Sequence, residues 1–491
     1  MIASIFNNFS GQGIFWVILD LVLLITIVVM VVVIIMGNHD PIKTISWILI
    51  MFLLPVGGII LYIYFGFNPR KRKMIRFKEL SDRMSLDRLI QDQLIRLNNK
   101  IFLTDERLFP KRQMMKLLLN NSKAIITEHN HVRVLNNGRQ TFGTMIYELE
   151  KARDHINFEF FIIEDDQIGN KIKDILIRKA LAGVEVKVLY DDIGSWSLPR
   201  HFIRELTSAG VHVTSFLPVR TYAFANKVNY RLHRKIIVVD GNIGFVGGIN
   251  IADRYLRGLG KNNRWRDIHL RLEGESVRSL QAIFLLDWNF ANGTTEYDTR
   301  YFPANTVTEK RLIQIVSSGP DSDWQSIMQA YFAAISTALQ YVYISTPYFL
   351  PNESIMTAMK TAALGGVDVR LLLPEKNDSW IVGKSSRSYL KELLEAGVHV
   401  FFYLKGFTHS KLMIVDDVFS SVGTANMDIR SFNQDFEANA LIYDEMITLQ
   451  LKQDFLDDIC QSKEIFSDDW EERSVWEKVQ ESVARLFSPL L

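Results

Sequence analysis

The sequence predicts an α/β protein whose soluble part is one unit present twice, preceded by a two-helix transmembrane hairpin. Three observations carry that prediction. Two long apolar runs stand near the start of the 491-residue chain. Strand-like and helix-like segments alternate beyond about residue 120, which indicates α/β layers. Short segments from the first half of the soluble part return, in the same order, in the second.

The first run covers residues 14–36 and is apolar except for Asp20 and Thr26. The second covers residues 45–67, interrupted by Ser46, Pro55 and glycines. Each has 23 residues. As a helix that is about 35 Å, enough to cross a hydrocarbon core of about 30 Å. Gly37, Asn38, His39, Asp40 and Pro41 join them with turn formers, so residues 1–67 read as a hairpin. A cleaved signal peptide fits poorly, because neither Lys nor Arg precedes the first run. Arg70, Lys71, Arg72, Lys73, Arg76 and Lys78 follow the second run, whereas the hairpin loop carries only Lys43. The positive-inside rule then puts the C-terminal bulk in the cytoplasm, and an even number of crossings puts the N-terminus there too. Asp20, near one end of its run, reads as an interfacial residue.

Residues 68–120 are charged and helix-like and read as a basic juxtamembrane connector. Next, His131-Val132-Arg133-Val134-Leu135 followed by Asn136-Asn137-Gly138 reads as a strand entering a hairpin turn. Residues 156–163 and 184–190 read as buried strands, with a helix over 171–182 between them. Ala180-Leu181-Ala182-Gly183-Val184-Glu185-Val186-Lys187 is echoed by Ala363-Leu364-Gly365-Gly366-Val367-Asp368-Val369-Arg370, and Ala209-Gly210-Val211-His212-Val213 by Ala396-Gly397-Val398-His399-Val400. The soluble part is therefore read as a duplication, with domains at 121–300 and 301–491.

Charge narrows the function. Lys+Arg number 56 against 55 Asp+Glu, a net +1 that argues against a nucleic-acid partner. The single cysteine, Cys460, excludes an internal disulfide and any multi-cysteine metal site, and reads as a packed small hydrophobe.

Each half delivers the same constellation after its Ala-Gly-Val-His-Val strand. The first is His233, Lys235, Asp240 and Asn250; the second is His409, Lys411, Asp416 and Asn426. Both follow H-x-K-x4-D-x6-G-x-x-N. Residues i and i+2 of a strand share a face, so His and Lys project together. The apolar residues that follow bury the strand, and Asp240 and Asp416 at its end, counted with the catalytic motif, are suited to fixing the turn. Packed face to face, the halves would pool two imidazoles, two ammonium groups and the amides of Asn250 and Asn426. That set suits a phosphodiester: lysines and amides hold its oxygens, one imidazole attacks phosphorus, and the other serves as acid and then base. No metal or other cofactor is required by this chemistry. The other eight histidines lack this context and read as structural or surface residues.

The paired motifs resemble those of the phospholipase D superfamily. Ser345-Thr346-Pro347-Tyr348-Phe349, Leu373-Pro374-Glu375-Lys376-Asn377-Asp378-Ser379, Asn426-Met427-Asp428-Ile429-Arg430-Ser431-Phe432 and the terminal Phe487-Ser488-Pro489-Leu490-Leu491 narrow the resemblance to the bacterial cardiolipin synthases. The resemblance implies two phospholipase D-like α/β/α sandwich domains arranged as a pseudo-dimer. It implies that two phosphatidylglycerol molecules become cardiolipin and glycerol through a phosphohistidine, on a bacterial cell (inner) membrane and without a nucleotide. His233 would be the nucleophile and His409 the acid and base, with Asp267 and Glu437 orienting the imidazoles across the halves. Thr424 joins Asn250 and Asn426 as a phosphate-binding residue; Gly248 stands where the superfamily often has Ser or Thr. Asp435 replaces a common Asn and is expected to point away from the phosphate. A hydrolase in which water resolves the intermediate, or a synthase using phosphatidylethanolamine as donor, would use the same residues. The oligomeric state is left open, as is whether the acidic C-terminal tail docks on a membrane or on the domain.

Overall fold

A computed structural model describes residues 11–37, 41–62, 86–99, 101, 105–219, 229–258 and 264–488. Expectations about residues 38–40, 63–85 and 489–491 lie outside this set, the basic cluster after the second apolar run included. Two units are distinguished, residues 1–73 with 221–228, and residues 74–220 with 229–491.

In the first unit, the helix Gly11–Met36 has 26 residues and exposes a nearly continuous apolar surface, from Phe15 and Trp16 to Ile35 and Met36. Among the described residues it is the one helix long and apolar enough to cross a membrane. Within its described residues the second run is not one continuous helix. It breaks into Pro41–Leu53 and Pro55–Leu61, with Leu54 at φ −131° and ψ 76°. Proline disfavours the helical region for the residue before it, which explains the break. The bend is tight: a Cβ on Gly58 would lie 2.7 Å from the Met51 Cα. Ile34, Met51 and Tyr62 pack together, with the Trp47 and Tyr62 rings edge to face at 5.4 Å.

In the second unit, the first half contributes β1 (Ile126–Leu135), β2 (His155–Phe160), β3 (Glu185–Asp191), β4 (His212–Phe216), β5 (Arg231–Leu232), β6 (Lys235–Val239), β7 (Ile243–Gly247), β8 (Arg264–Arg266) and β9 (His269–Gly274). The second half contributes β10 (Lys310–Ser318), β11 (Tyr341–Ser345), β12 (Phe349–Leu350), β13 (Asp368–Pro374), β14 (His399–Tyr403), β15 (Gly406–Thr408), β16 (Leu412–Val415), β17 (Phe419–Gly423), β18 (Met427–Asp428), β19 (Asp435–Tyr443) and β20 (Ser462–Ile465). Strand order repeats the duplication. β4-β3-β2-β6-β7-β9-β1 meets β10-β19-β17-β16-β11-β13-β14-β20 through the antiparallel pair β1 and β10. β6 is a wholly buried run of Lys, Ile and Val, and β16 is its counterpart, as strands covered on both faces require.

Helices cover both faces. Between the halves, Val277 and Leu280 of helix Glu275–Asn292 share a core with Leu451 and Phe455 of helix Glu445–Ile459. Residues read as connector are part of the body: Ile90, Leu94 and Leu97 of helix Leu86–Asn98, and Met115, Leu118 and Leu119 of helix Arg112–Asn121, join the core of the second half. Ile90, Leu94 and Leu97 recur at i, i+4 and i+7, a buried stripe that the high charge of the outer face conceals.

Two further expectations are corrected. Asn136-Asn137-Gly138 makes no hairpin; the Asn137 side chain accepts from Gln140 N at 3.0 Å and caps helix Gly138–Lys151. Cys460 is exposed rather than packed, because it caps the end of helix Glu445–Ile459 at the surface.

Candidate active site

Each half lends a strand to hold the other half's histidine. β5 runs parallel to the start of β19, and His233 N donates to Phe436 O at 3.0 Å. β15 runs parallel to β8, and His409 N donates to Arg266 O at 2.7 Å. The next residue in each lending segment is a carboxylate, so the geometry carries straight into the side chains. His233 Nδ1 lies 2.8 Å from Glu437 Oε1, and His409 Nδ1 lies 2.7 Å from Asp267 Oδ2. Both carboxylates are fully buried. Occupying Nδ1 fixes the tautomer and leaves Nε2 for chemistry.

The lysines stand beside their histidines. Lys411 Nζ is 3.0 Å from both ring nitrogens of His409 and 2.7 Å from its carbonyl oxygen, while Lys235 Nζ donates to His233 O. These groups sense one another across the halves. Burial, opposed by Glu437 and reinforced by Lys411, lowers Lys235 to about 7. Burial lowers Lys411 to about 8 against the pull of Asp267 and Glu437. His233 is lowered to about 4, chiefly by burial. His409 falls well below its usual value through burial, then Lys411, Lys235 and His233. Burial thus disfavours the charged lysines and histidines, and an anionic phosphate held among them would restore their protonation.

The carboxylates differ. Burial pushes Asp267 up to about 6. Burial also acts against Glu437, but His233, Lys235 and the Thr424 hydroxyl outweigh it and hold Glu437 below the usual range. Thr424 Oγ1 donates to Glu437 Oε2 rather than into open space. Gly248, its counterpart, has no room for a side chain: a Cβ there would lie 2.1 Å from Asp267 Oδ1.

The asparagines are also unlike. Asn250 is spoken for, its Nδ2 donating to Tyr255 Oη at 2.7 Å and its Oδ1 accepting from Ile162 N at 3.1 Å. Asn426 has a buried Oδ1 without a hydrogen-bond partner. Asp240 and Asp416 lie at the far ends of β6 and β16, five residues beyond the lysines and so about 17 Å away along an extended strand. Asp240 accepts from the backbone N of Arg153, Asp154 and His155, and Asp416 from Leu339, Gln340 and Tyr341. Both adopt positive φ, 51° and 53°. Asp435 is held by Arg430 at 3.2 Å, and burial pushes its carboxyl up to about 8, with Glu437, Asp428 and Asp191 opposing the charge further.

Some of the surroundings escaped sequence reasoning. Trp265, Phe407, Tyr255 and Tyr348 place ring centroids 5.3, 5.9, 6.1 and 6.4 Å from the His409 ring. The lending strand β8 brings Trp265 there, and Phe407 stands two residues before His409 in its own segment. Arg254 and Arg430 occupy equivalent places, each four residues after the motif Asn, and a self-comparison continued by four residues would have found them.

A duplicated α/β sandwich with two His-Lys pairs converging at its interface, each His backed by a carboxylate from the other half, defines a phospholipase D-type site. Comparison with known proteins agrees. The family described as "Cardiolipin synthase, PLD-like domain" matches residues 145–288 and 331–459, and "Phospholipase_D-nuclease N-terminal" matches residues 14–66. The chain is 43% identical over 468 residues to cardiolipin synthase 2 of Bacillus cereus, covering 94% of this chain and 89% of that one. It is 39% identical over 478 residues to the major cardiolipin synthase ClsA of Bacillus subtilis, covering 97% and 99%. The crystal structure of phosphatidylserine synthase from Haemophilus influenzae shares the fold, with TM-score 0.56 at 14% identity over 78% of this chain and 98% of that one. The chain belongs to the cardiolipin synthase family.

Proposed function

We propose that the protein joins two phosphatidylglycerol molecules into cardiolipin and glycerol by way of a phosphohistidine on His233. The observation that carries this reading is the exchange of carboxylates, Glu437 to His233 and Asp267 to His409, which leaves two oriented Nε2 atoms in one basic site. His233 attacks phosphorus of the donor, and the bond from phosphorus to the glycerol oxygen breaks as His409, protonated once the anionic phosphodiester fills the site, gives that oxygen a proton. The neutral His409 then takes the proton from a glycerol hydroxyl of the second lipid. That oxygen attacks phosphorus, the phosphorus–nitrogen bond breaks, and His233 is restored. Lys235 and Lys411 hold the non-bridging oxygens.

The choice of His233 over His409 is supported by Glu437, held below the usual range, because an ionised acceptor on Nδ1 makes Nε2 more electron-rich. Asn426, with its free carbonyl, is assigned to the substrate side. Thr424 acts through Glu437 as a positioning residue, Asn250 positions Tyr255, and Asp240 and Asp416 pin strand ends. We assign the protein to a bacterial cell membrane as a multi-pass protein, both apolar stretches lying in the bilayer and the second kinked at Pro55. The catalytic unit is assigned to the cytoplasmic side on the strength of the cations at residues 70–78.

Lipid mass spectrometry tests the reaction. Purified protein in mixed micelles with phosphatidylglycerol, EDTA and no nucleotide is expected to yield cardiolipin and glycerol. Phosphatidic acid alone would mean that water resolves the intermediate, and cardiolipin made only when phosphatidylethanolamine is supplied would change the donor.

A further inference from the structure

The C-terminal helix Val475–Arg485 is amphipathic, yet it is turned the wrong way for a soluble domain. A surface helix ordinarily buries its apolar stripe against the core. Here Val475, Trp476 and Leu486 are 77%, 69% and 77% exposed, and Val479, Val483 and Phe487 are exposed with them. At 100° per residue these six positions fall within an arc of about 120°. The opposite face is buried and polar. Glu481 receives two bonds from Arg473, at 2.6 and 2.8 Å, and Ser488 bonds Ser385 at 2.7 Å. Arg485 reaches Glu392 at 3.1 Å. The helix is thus fastened to the domain by its polar side, and its apolar side is presented outward.

Cations flank the apolar arc. Beside the helix opens a cleft of about 280 Å³ lined by Arg387, Lys391, Arg473, Lys478 and Arg485 against only Glu471 and Glu481. Arg473 is matched by Glu481 and Lys391 by Glu471. Arg387 and Lys478 hydrogen-bond to the backbone carbonyls of Glu375 and Glu471 instead of to carboxylates. An outward apolar face with tryptophan and valine, bordered by basic residues, is the pattern of a helix that lies in a membrane interface and prefers anionic lipid.

We propose that this helix docks the catalytic unit on an anionic phospholipid bilayer, with Val475, Trp476, Val479, Val483 and Leu486 in the acyl boundary and the cationic cleft at the headgroups. The inference is independent of the reaction assigned above. It also separates two destinations for the C-terminal tail that the sequence left open, since the polar face meets the domain and the apolar face is free for lipid.

The test uses the full-length chain with Cys460→Ser and Trp476→Cys, the new thiol carrying an environment-sensitive fluorophore. The protein is placed in detergent, in phosphatidylcholine nanodiscs, and in nanodiscs of equal parts phosphatidylcholine and phosphatidylglycerol. Leu339→Cys in the same background reports on an exposed site at the strand end pinned by Asp416. In the anionic nanodiscs the label at position 476 is expected to shift to shorter wavelength, to lose several-fold in iodide quenching, and to be quenched by brominated acyl chains. The label at 339 stays open to iodide. Lys391→Glu with Lys478→Glu is expected to return iodide access at 476. Full iodide access at 476 in the anionic nanodiscs would overturn the proposal. So would equal protection in phosphatidylcholine alone, which would remove the anionic preference. Protection in detergent that grows with protein concentration would assign the face to a second copy and overturn it as well.

Discussion

Among the described residues, His233 lies against Glu437 and one aromatic ring, Phe161 at 5.1 Å, whereas His409 lies against Asp267 and four rings. Behind the first pair stand Thr424, Asp435 and Arg430; behind the second, Gly248 leaves no hydroxyl to support Asp267. The frame that holds the histidines is nevertheless common to both: a cross-half backbone bond, a cross-half carboxylate, and an aspartate accepting three backbone N–H groups at the strand end. Duplication has kept the parts that set position and let the parts that set charge diverge. Symmetric geometry with asymmetric electrostatics is what a reaction needs when one imidazole must attack and the other must carry a proton.

The sharpest break of that comparison is His233→Ala against His409→Ala. The first is expected to abolish covalent labelling by radiolabelled phosphatidylglycerol, with turnover lost by a factor on the order of 10⁴ or more. The second should slow turnover comparably but retain a slowly formed, persistent label in samples quenched with detergent at neutral pH, since acid would cleave the phosphorus–nitrogen bond. Label surviving in His233→Ala would exchange the two roles. Glu437→Gln and Asp267→Asn come next. By analogy with the triad carboxylate the first should cost up to roughly 10⁴ in kcat, and the second about tenfold less, because Asp267 is already pushed towards neutrality. Equal losses would mean that the electrostatic difference does not reach the chemistry.

Lys235→Ala and Lys411→Ala should each cost on the order of a hundredfold in kcat/KM, as loss of one transition-state donor does. A pH profile sharpens the same point. Lys235 and Lys411 are lowered to about 7 and 8, and only their protonated forms attract phosphate, so kcat/KM is expected to fall as pH rises through that window. His233, lowered to about 4, should add no acid limb above that value. The smallest catalytic effect belongs to Asp240→Ala and Asp416→Ala. Each removes three backbone bonds to a carboxylate and should cost about 3 kcal/mol in urea unfolding, with kcat per folded molecule nearly unchanged. A loss of kcat by a hundredfold in soluble, folded protein would return them to the catalytic group.

Much of this was legible in the sequence. His-x-Lys at i and i+2, an apolar strand after it and the recurrence of both are local patterns, and local patterns survive in one dimension. The Nδ1 partners were reached only by resemblance, since Glu437 is 204 positions from His233 and no spacing rule links them. Trp265 was missed for the same reason, being delivered by β8 in a strand exchange between the halves, whereas Phe407, two residues before His409, lay within reach of the i, i+2 rule and was overlooked. Pro55 was visible but was treated as an interruption of a helix rather than the start of a new one. Asn137 was given a turn because Asn-Asn-Gly favours both fates, and Tyr255, whose carbonyl presses against Gly138, is too distant in sequence to vote. The charged surface of residues 86–121 hid the face that enters the core.

The exchange of carboxylates has a consequence for heredity. Neither half holds both a motif histidine and the carboxylate that meets its Nδ1, because each carboxylate is encoded in the other. A gene for one half alone would have to make a protein that pairs with itself to bring a carboxylate to each histidine. Joined in one chain, the two copies of the message can be edited separately, and damage on one side can be answered only from the other. Two fragments divided between Asn292 and Lys310, each inert, are therefore expected to complement when made together.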